Sequence, residues 1–166
     1  MDGHMGEVIK VGMADLKVCK APDSLTTLGL GSCVGVALYD KSTKITGLAH
    51  VMLPSSKEIS NNSNIAKFAD TGIEETIRLM KEKGANMSHV VAKIAGGAQM
   101  FAFSARNNDM LNVGERNVKA VKEKLKEHNI PIIAEDTGLN FGRTVIISSE
   151  TGIYTIKAVG KEVKEI

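Results

Sequence analysis

Residues 25–53, LTTLGLGSCVGVALYDKSTKITGLAHVML, contain the pattern that decides the fold. Apolar and small residues alternate through 34–39 and again through 45–53, and the polar segment 40–44 separates the two runs. Period-two alternation on both sides of a turn-like segment predicts two paired strands, the second stopped by Pro54. This stretch therefore predicts a β-hairpin.

Other strands and helices are predicted on either side of the hairpin. Apolar residues recur at steps of three or four over 65–83 and 114–128, which predicts two helices, with Gly84 at the end of the first. Further strands are predicted at 8–13, 25–30, 90–95, 131–136, 144–148 and 153–159. A strand-rich first third followed by interleaved helices and strands predicts an α+β fold, with mixed sheets and helices packed outside.

Length and composition limit the classes of function. The 166 residues suffice for one domain, expected at 6–166, and we interpret residues 1–5 as an expression scar. With 21 basic and 19 acidic residues, the net charge of +2 gives no strong field for nucleic acid. No apolar run is long enough to cross a bilayer, so we expect no membrane insertion and a cytoplasmic location.

The hairpin brings two reactive side chains close together. A turn centred on Ser42 places Cys33 directly opposite His50 on one face, where Cβ atoms of facing residues lie about 4.5–5.5 Å apart. A slip of one residue would turn His50 to the other face. The pattern therefore permits a cysteine–histidine pair without requiring it.

Such a pair would suit nucleophilic catalysis. A neighbouring imidazolium lowers the pKa of a thiol, so we expect Cys33 to react faster than the other cysteine, Cys19. His50 would return the proton to a leaving amine. A third group usually orients the imidazole, and Thr27 is the local candidate.

The residues around Cys33 suit the binding of a developing oxyanion. Gly29 and Gly31 allow a substrate to approach the backbone closely. The backbone N–H groups near Ser32 and Cys33 are candidate donors to the oxyanion.

A structural interpretation of the same residues is also open. Cysteine is commonly a small buried hydrophobe, a lone histidine is often a core residue, and glycine pairs often mark bulges and turns. Cys19 and Cys33 lack the spacing of a disulfide framework or a zinc site, so no metal is expected. Taken alone, the residues allow catalysis without establishing it.

Several motifs, read together, resemble the CheD family of chemoreceptor glutamine deamidases. Two of them are the segments already described, residues 27–34 and 49–54. The others are KFAD at 67–70, GGAQMF at 96–101, GERN at 114–117 and DTGLNFGR at 136–143. Leu139 stands where the family usually has a second glycine. The resemblance covers nearly the whole chain after residue 5.

The resemblance implies a fold, a reaction and partners. It implies a β-sandwich flanked by helices, similar to the catalytic domain of cytotoxic necrotizing factor toxins. The implied reaction converts glutamine side chains of methyl-accepting chemotaxis receptors to glutamate and ammonia through a cysteine thioester, without a cofactor. Cys33, His50 and Thr27 would be the catalytic residues. The phosphatase CheC is an implied partner, and hydrolysis of glutamate methyl esters is a further, weaker expectation.

Two rival functions use the same sequence differently. A non-enzymatic adaptor would bind receptors and CheC through its surface and would need neither Cys33 nor His50. A redox sensor would need the thiol but not the imidazole. The pairing of the two side chains is therefore the feature that separates the three hypotheses.

Overall fold

The computed structural model describes residues 6–58, 62–100 and 113–166. Within these ranges the chain forms ten strands in two five-stranded mixed sheets, together with two α-helices. The prediction of an α+β fold with mixed sheets and external helices is confirmed.

The first sheet, sheet A, has β8 as its central strand. Its strands, in spatial order, are β1 (Val8–Lys10), β3 (Ser24–Leu30), β8 (Arg143–Ser148), β9 (Tyr154–Lys157) and β10 (Lys164–Glu165). β1 runs parallel to β3, and the other neighbours are antiparallel.

The second sheet, sheet B, contains the predicted hairpin. Its strands, in spatial order, are β2 (Leu16–Lys20), β5 (Ile45–Val51), β4 (Val34–Asp40), β6 (Val90–Gly96) and β7 (Ile132–Thr137). All seven residues of β4 and all seven of β5 are buried. Both faces of the hairpin are therefore covered by other elements.

Two apolar cores explain this burial. One lies between the two sheets and includes Leu25, Val145 and Leu48. The other lies between sheet B and the helices and includes Val36 and Ala49. Because successive side chains of a strand point to opposite faces, β4 and β5 supply alternate residues to the two cores.

The helices cover the outer face of sheet B. They are α1 (Ala69–Lys83) and α2 (Val113–Glu127). α1 ends at Gly84, whose φ of 109° lies in the left-handed region, as the sequence predicted. The predicted helical segment 65–83 is divided, because Phe68 is extended (φ −110°, ψ 142°) between a 3₁₀ turn and α1.

The structure also contains strands that the sequence did not predict. β2 pairs with β5 at the edge of sheet B, and its Leu16 and Val18 pack against the helix-side core. β10 has two exposed, charged residues that give no apolar signal. The strand predicted at 8–13 is shorter and ends at Lys10.

Candidate active site

The hairpin places Cys33 and His50 on one face, but not directly opposite each other. Gly35 faces His50, so the expected register is wrong by two residues. The cause is the four-residue turn between Asp40 and Ile45, which is longer than assumed. A shift of two residues preserves the face of every side chain, whereas a shift of one would reverse it.

His50 and Cys33 consequently occupy diagonal positions between the two sheets. Cβ atoms on a diagonal are about 7–8 Å apart or somewhat less, which is within reach of longer side chains. Cys33 belongs to the core between the sheets, and the His50 ring contacts β3 of sheet A. The structure therefore brings both side chains to the same interior face at one end of the hairpin.

Thr27 contacts the imidazole as the sequence suggested. Its Oγ1 lies 2.7 Å from His50 Nδ1 and donates a hydrogen bond of 2.7 Å to the carbonyl of Val11. A hydroxyl that has donated its one proton can only accept at the second contact, so Nδ1 carries the ring proton. The lone pair of the neutral ring is therefore on Nε2, although the catalytic roles of both residues stay predictions.

His50 Nε2 is buried and, among the residues described, has no hydrogen-bond partner. Burial lowers the pKa of His50 below its ordinary value, and the negative charge of Asp15 opposes this only in part. The backbone N–H of His50 donates to the Asp15 carbonyl at 2.9 Å, which fixes the strand beneath the ring. The site thus holds a neutral imidazole with one nitrogen available as a base.

The Cys33 thiol is also neutral in the resting site. Its residue is 8% exposed, and burial raises the pKa of the thiol, against the smaller effect of the Cys33 backbone N–H. The expected lowering of this pKa by an imidazolium is therefore wrong. Burial raises the pKa of Cys19 as well, and its Sγ lies 3.1 Å from Ser149 Oγ.

Close backbone packing holds the segment before β4. The carbonyl of Gly31 accepts from Ala98 N–H, and that of Cys33 from Gly97 N–H, both at 2.8 Å. Gly29 has a φ of 71° at an irregularity in the pairing of β3, where a side chain would be strained. A Cβ on Gly96 would lie 2.2 Å from the Cys33 carbonyl oxygen, so this approach requires glycine.

Asn117 is a residue of the site region whose role sequence reasoning missed. It is fully buried on α2, and its Nδ2 donates to the carbonyls of Ser32 and Met52, each at 2.9 Å. The signal was present, since Asn117 precedes the buried residues Val121 and Leu125 at helical spacing and is a polar residue on an apolar face.

The motif at 136–143 includes the end of β7, which pairs with β6, and the connection from β7 to β8. Arg143 Nε lies 3.1 Å from Asp136 Oδ2 in a buried ion pair, and the guanidinium carbon lies 4.4 Å from the centre of the Phe141 ring. Leu139 has a φ of 62°, in the region that favours glycine. This conformation explains why a glycine would suit the position.

One group of side chains on the helices has atoms close enough to bind a cation. Ligand atoms of Glu74, Glu127 and His128 lie within 4.8 Å of one another. Lys124 already contacts both carboxylates and lies 3.3 Å from Glu127 Oε1. Its ammonium provides the positive charge, so the group is an ion-pair network on the helical surface.

In the described parts of the chain, neither helix combines the length and the apolar character that a membrane span needs. The 3₁₀ turns are far too short to span a membrane.

Comparisons with known proteins agree with the resemblance seen in the sequence. The family model described as CheD chemotactic sensory transduction matches residues 52–158, more than half of the chain. The match begins after His50, so it does not itself include the candidate pair.

Curated relatives align over nearly the whole chain. A protein of Lachnoclostridium phytofermentans, named probable chemoreceptor glutamine deamidase CheD, is 65% identical over 98% of this chain and 100% of its own length. A protein of the same name from Caldanaerobacter subterraneus subsp. tengcongensis is 56% identical over 96% and 98%. This chain belongs to the CheD family.

A solved structure, the hypothetical protein YfiH of Bacillus licheniformis, aligns weakly. The TM-score is 0.46 at 16% identity, covering 83% of this chain and 61% of that one. This likeness carries no argument about fold or function.

Proposed function

We propose that this protein is a glutamine deamidase that acts on methyl-accepting chemotaxis receptors. The observation that carries the proposal is the state of His50, whose Nδ1 is held by Thr27, while Nε2 has no hydrogen-bond partner among the described residues and lies on the face that bears Cys33. Membership of the CheD family supports the choice of substrate, since relatives more than half identical to this chain are named chemoreceptor glutamine deamidases.

The first half of the reaction transfers the acyl group to sulfur. As Cys33 Sγ attacks the carboxamide carbon, the thiol proton passes to His50 Nε2. The imidazolium then donates this proton to the amide nitrogen, the C–N bond breaks, and ammonia leaves. The products are a thioester on Cys33 and a neutral His50.

The second half regenerates the thiol. Water attacks the thioester carbon while His50 Nε2 removes its proton. The C–S bond breaks, the sulfur recovers a proton from the ring, and the receptor carries glutamate in place of glutamine. No cofactor or metal takes part in this scheme.

Burial determines the protonation states from which the reaction starts. The thiol pKa is raised and the imidazole pKa is lowered, so both groups are neutral before substrate arrives. Proton transfer from Cys33 to His50 therefore accompanies the attack and does not precede it. We assign the Cys33 N–H, which acts on its own sulfur, as a donor to the oxyanion.

The family resemblance supplies the remaining parts of the proposal. They are a single domain at 6–166, a sandwich similar to the catalytic domain of cytotoxic necrotizing factor toxins, action in the cytoplasm, and binding to CheC. Hydrolysis of glutamate methyl esters would use the same tetrahedral chemistry, with an alcohol as the leaving group.

Mass spectrometry of a receptor cytoplasmic fragment tests the reaction. We expect the parent protein to add about one dalton per converted glutamine, the change from amide to acid that acyl transfer produces. Cys33→Ala and His50→Ala should abolish conversion. Cys19→Ala is the matched control, because Cys19 is equally a buried free cysteine but contacts Ser149 in place of the site.

The rival functions give different results in the same experiment. An adaptor that binds receptors without modifying them would leave the fragment mass unchanged. Conversion that persists at the parent rate in Cys33→Ala would show that another residue is the nucleophile, and the catalytic assignment would be wrong.

A further inference from the structure

The side chain of Asn117 contacts the segment before β4 and the segment after β5, at the end of the hairpin that holds the proposed nucleophile and base. Its Nδ2 donates to the carbonyl of Ser32, the residue before Cys33, and to the carbonyl of Met52, two residues after His50. Both distances are 2.9 Å, and the side chain is completely buried. One amide group therefore uses both of its protons at the site.

The bond to Ser32 also controls the neighbouring N–H. The carbonyl of Ser32 and the N–H of Cys33 belong to one planar trans peptide, in which the two groups point in opposite directions. A carbonyl held toward α2 thus turns the Cys33 N–H away from α2 and toward the space between the sheets. The Cys33 sulfur lies in that space, and the N–H acts on it to lower the thiol pKa.

The carbonyls on either side of Ser32 are held by backbone donors. Gly31 accepts from Ala98 and Cys33 accepts from Gly97. The Ser32 carbonyl is held by the side chain of Asn117. Asn117 is consequently the side chain whose replacement would release the peptide plane that precedes the nucleophile.

Asn117 is a polar side chain at a buried position of α2, where the other buried residues are Gly114, Val121 and Leu125. Its Oδ1 is buried and has no hydrogen-bond partner within the described residues. The two hydrogen bonds that its Nδ2 donates go to the segments beside Cys33 and His50. The polar group on this apolar helix face is thus directed at the proposed site.

We propose that Asn117 is a positioning residue for catalysis, which aims the Cys33 N–H at the oxyanion by holding the Ser32 carbonyl. The inference rests on the proposed function, because the oxyanion forms only if Cys33 attacks a carboxamide. The hydrogen bonds of Asn117 go to backbone carbonyls, so it acts through the Ser32–Cys33 peptide.

Two reactions of the same sulfur separate this role from a structural one. Deamidation passes through an oxyanion, whereas alkylation of Cys33 by iodoacetamide displaces iodide and forms none. In Asn117→Ala we expect kcat for deamidation to fall about 10²–10³-fold, the usual loss for one oxyanion donor, with little change in KM. The alkylation rate of Cys33 should fall far less than kcat, because the Cys33 N–H affects the thiol pKa less than burial does.

Two further variants complete the experiment. Val121→Ala removes a fully buried side chain one turn along α2, and it controls for loosening of the helix. We expect it to lower the unfolding temperature while keeping kcat near the parent value. Asn117→Ser restores one short donor and should recover part of the lost kcat.

The outcomes are distinct. A parent-like kcat in Asn117→Ala overturns the inference and leaves the proposed function intact. Equal losses of deamidation and alkylation, or unfolding of both Asn117 variants at the assay temperature, assign Asn117 a structural role and also overturn it. A parent protein that converts no glutamine overturns the proposed function, and the inference falls with it.

Discussion

Asp40 and His50, at the two ends of the β4–β5 hairpin, differ in how their buried side chains are hydrogen-bonded. At the turn, the buried carboxylate of Asp40 accepts hydrogen bonds from Ser42, Thr43 and the backbone N–H of Asn86, at distances of 2.6–3.3 Å. At the other end, His50 Nε2 and Asn117 Oδ1 are buried without a partner among the described residues.

The difference in hydrogen bonding produces a difference in charge. Burial would raise the pKa of Asp40, but the hydrogen bonds from Ser42, Asn86 and Thr43 outweigh it and hold the pKa well below its usual range. At the site end, burial dominates, so the thiol of Cys33 and the ring of His50 are neutral. One hairpin therefore has a charged, hydrogen-bonded carboxylate at the turn end and a neutral thiol and imidazole, which suit proton transfer, at the other end.

Among the changes that test this contrast, Thr27→Val should have the largest effect, because it removes the acceptor for His50 Nδ1 at nearly constant volume. The ring could then place its proton on either nitrogen, and general-base catalysis is worth about 10²–10⁴-fold. We expect kcat/KM for a receptor fragment to fall by about 10²-fold. Thr27→Ser keeps the hydroxyl and should retain most activity.

Thr26→Val is the matched control for this prediction. Thr26 is the neighbour on β3, and its hydroxyl donates to the Val145 carbonyl within sheet A, away from the ring. Equal losses in Thr26→Val and Thr27→Val would contradict a specific role for the Thr27–His50 contact.

Asp40→Asn should give the opposite result, with lower stability and unchanged chemistry. Hydrogen bonds to a charged group contribute about 1.5–3 kcal/mol, and the amide cannot accept all the donors that surround Asp40. We expect the free energy of unfolding in urea to fall by about 1–3 kcal/mol. The deamidation rate, measured where both proteins are folded, should match the parent.

Asp23→Asn provides the comparison for Asp40. Asp23 Oδ1 accepts one exposed hydrogen bond from the Glu7 N–H, so its replacement should change stability by less than about 0.5 kcal/mol. A loss of activity in folded Asp40→Asn would show that the turn end is coupled to the site and would break the contrast between the two ends.

The smallest effect is a pH dependence that differs between the two ends. The pKa of His50 is lowered from 6.5, so the unfolded state binds more protons than the folded state between that value and the folded pKa. Stability should fall modestly as pH drops below 6.5, while the contribution of Asp40 persists until pH falls below 3.8. The acid limb of kcat/KM should also have its midpoint below 6.5, because imidazolium cannot accept the thiol proton.

Urea midpoints and deamidation rates measured across this pH range check the last prediction. In Thr26→Val, which keeps His50 intact, both profiles should follow the parent. An acid limb centred above 6.5 would mean that His50 is charged in the resting site, contrary to its burial.

The sequence permitted Cys33 and His50 to share a face of the hairpin but did not fix the register that decides it. The observed register differs by two residues from the one that places them directly opposite, and a shift of two keeps both side chains on one face. The register depends on how many residues the turn holds, and the bonds to Asp40 that close this turn include one from Asn86, far away in the sequence.

Two other features depend on tertiary contacts. The pKa of the Cys33 thiol is raised because the residue is buried between the two sheets, and no local sequence pattern indicates that burial. The role of Asn117 follows from the meeting of α2 with residues 32 and 52, although its place on an apolar helix face was visible. β10 is a strand because it pairs with β9 at the edge of sheet A.

The hydrogen bond between Thr27 and His50 has a consequence for the order of events in the proposed reaction. Because Nδ1 stays hydrogen-bonded to Thr27, every proton must enter and leave the imidazole through Nε2. The leaving ammonia and the hydrolytic water must therefore occupy the same position beside Nε2, one after the other. The thioester cannot be hydrolysed until the departing ammonia has vacated the place that the incoming water needs.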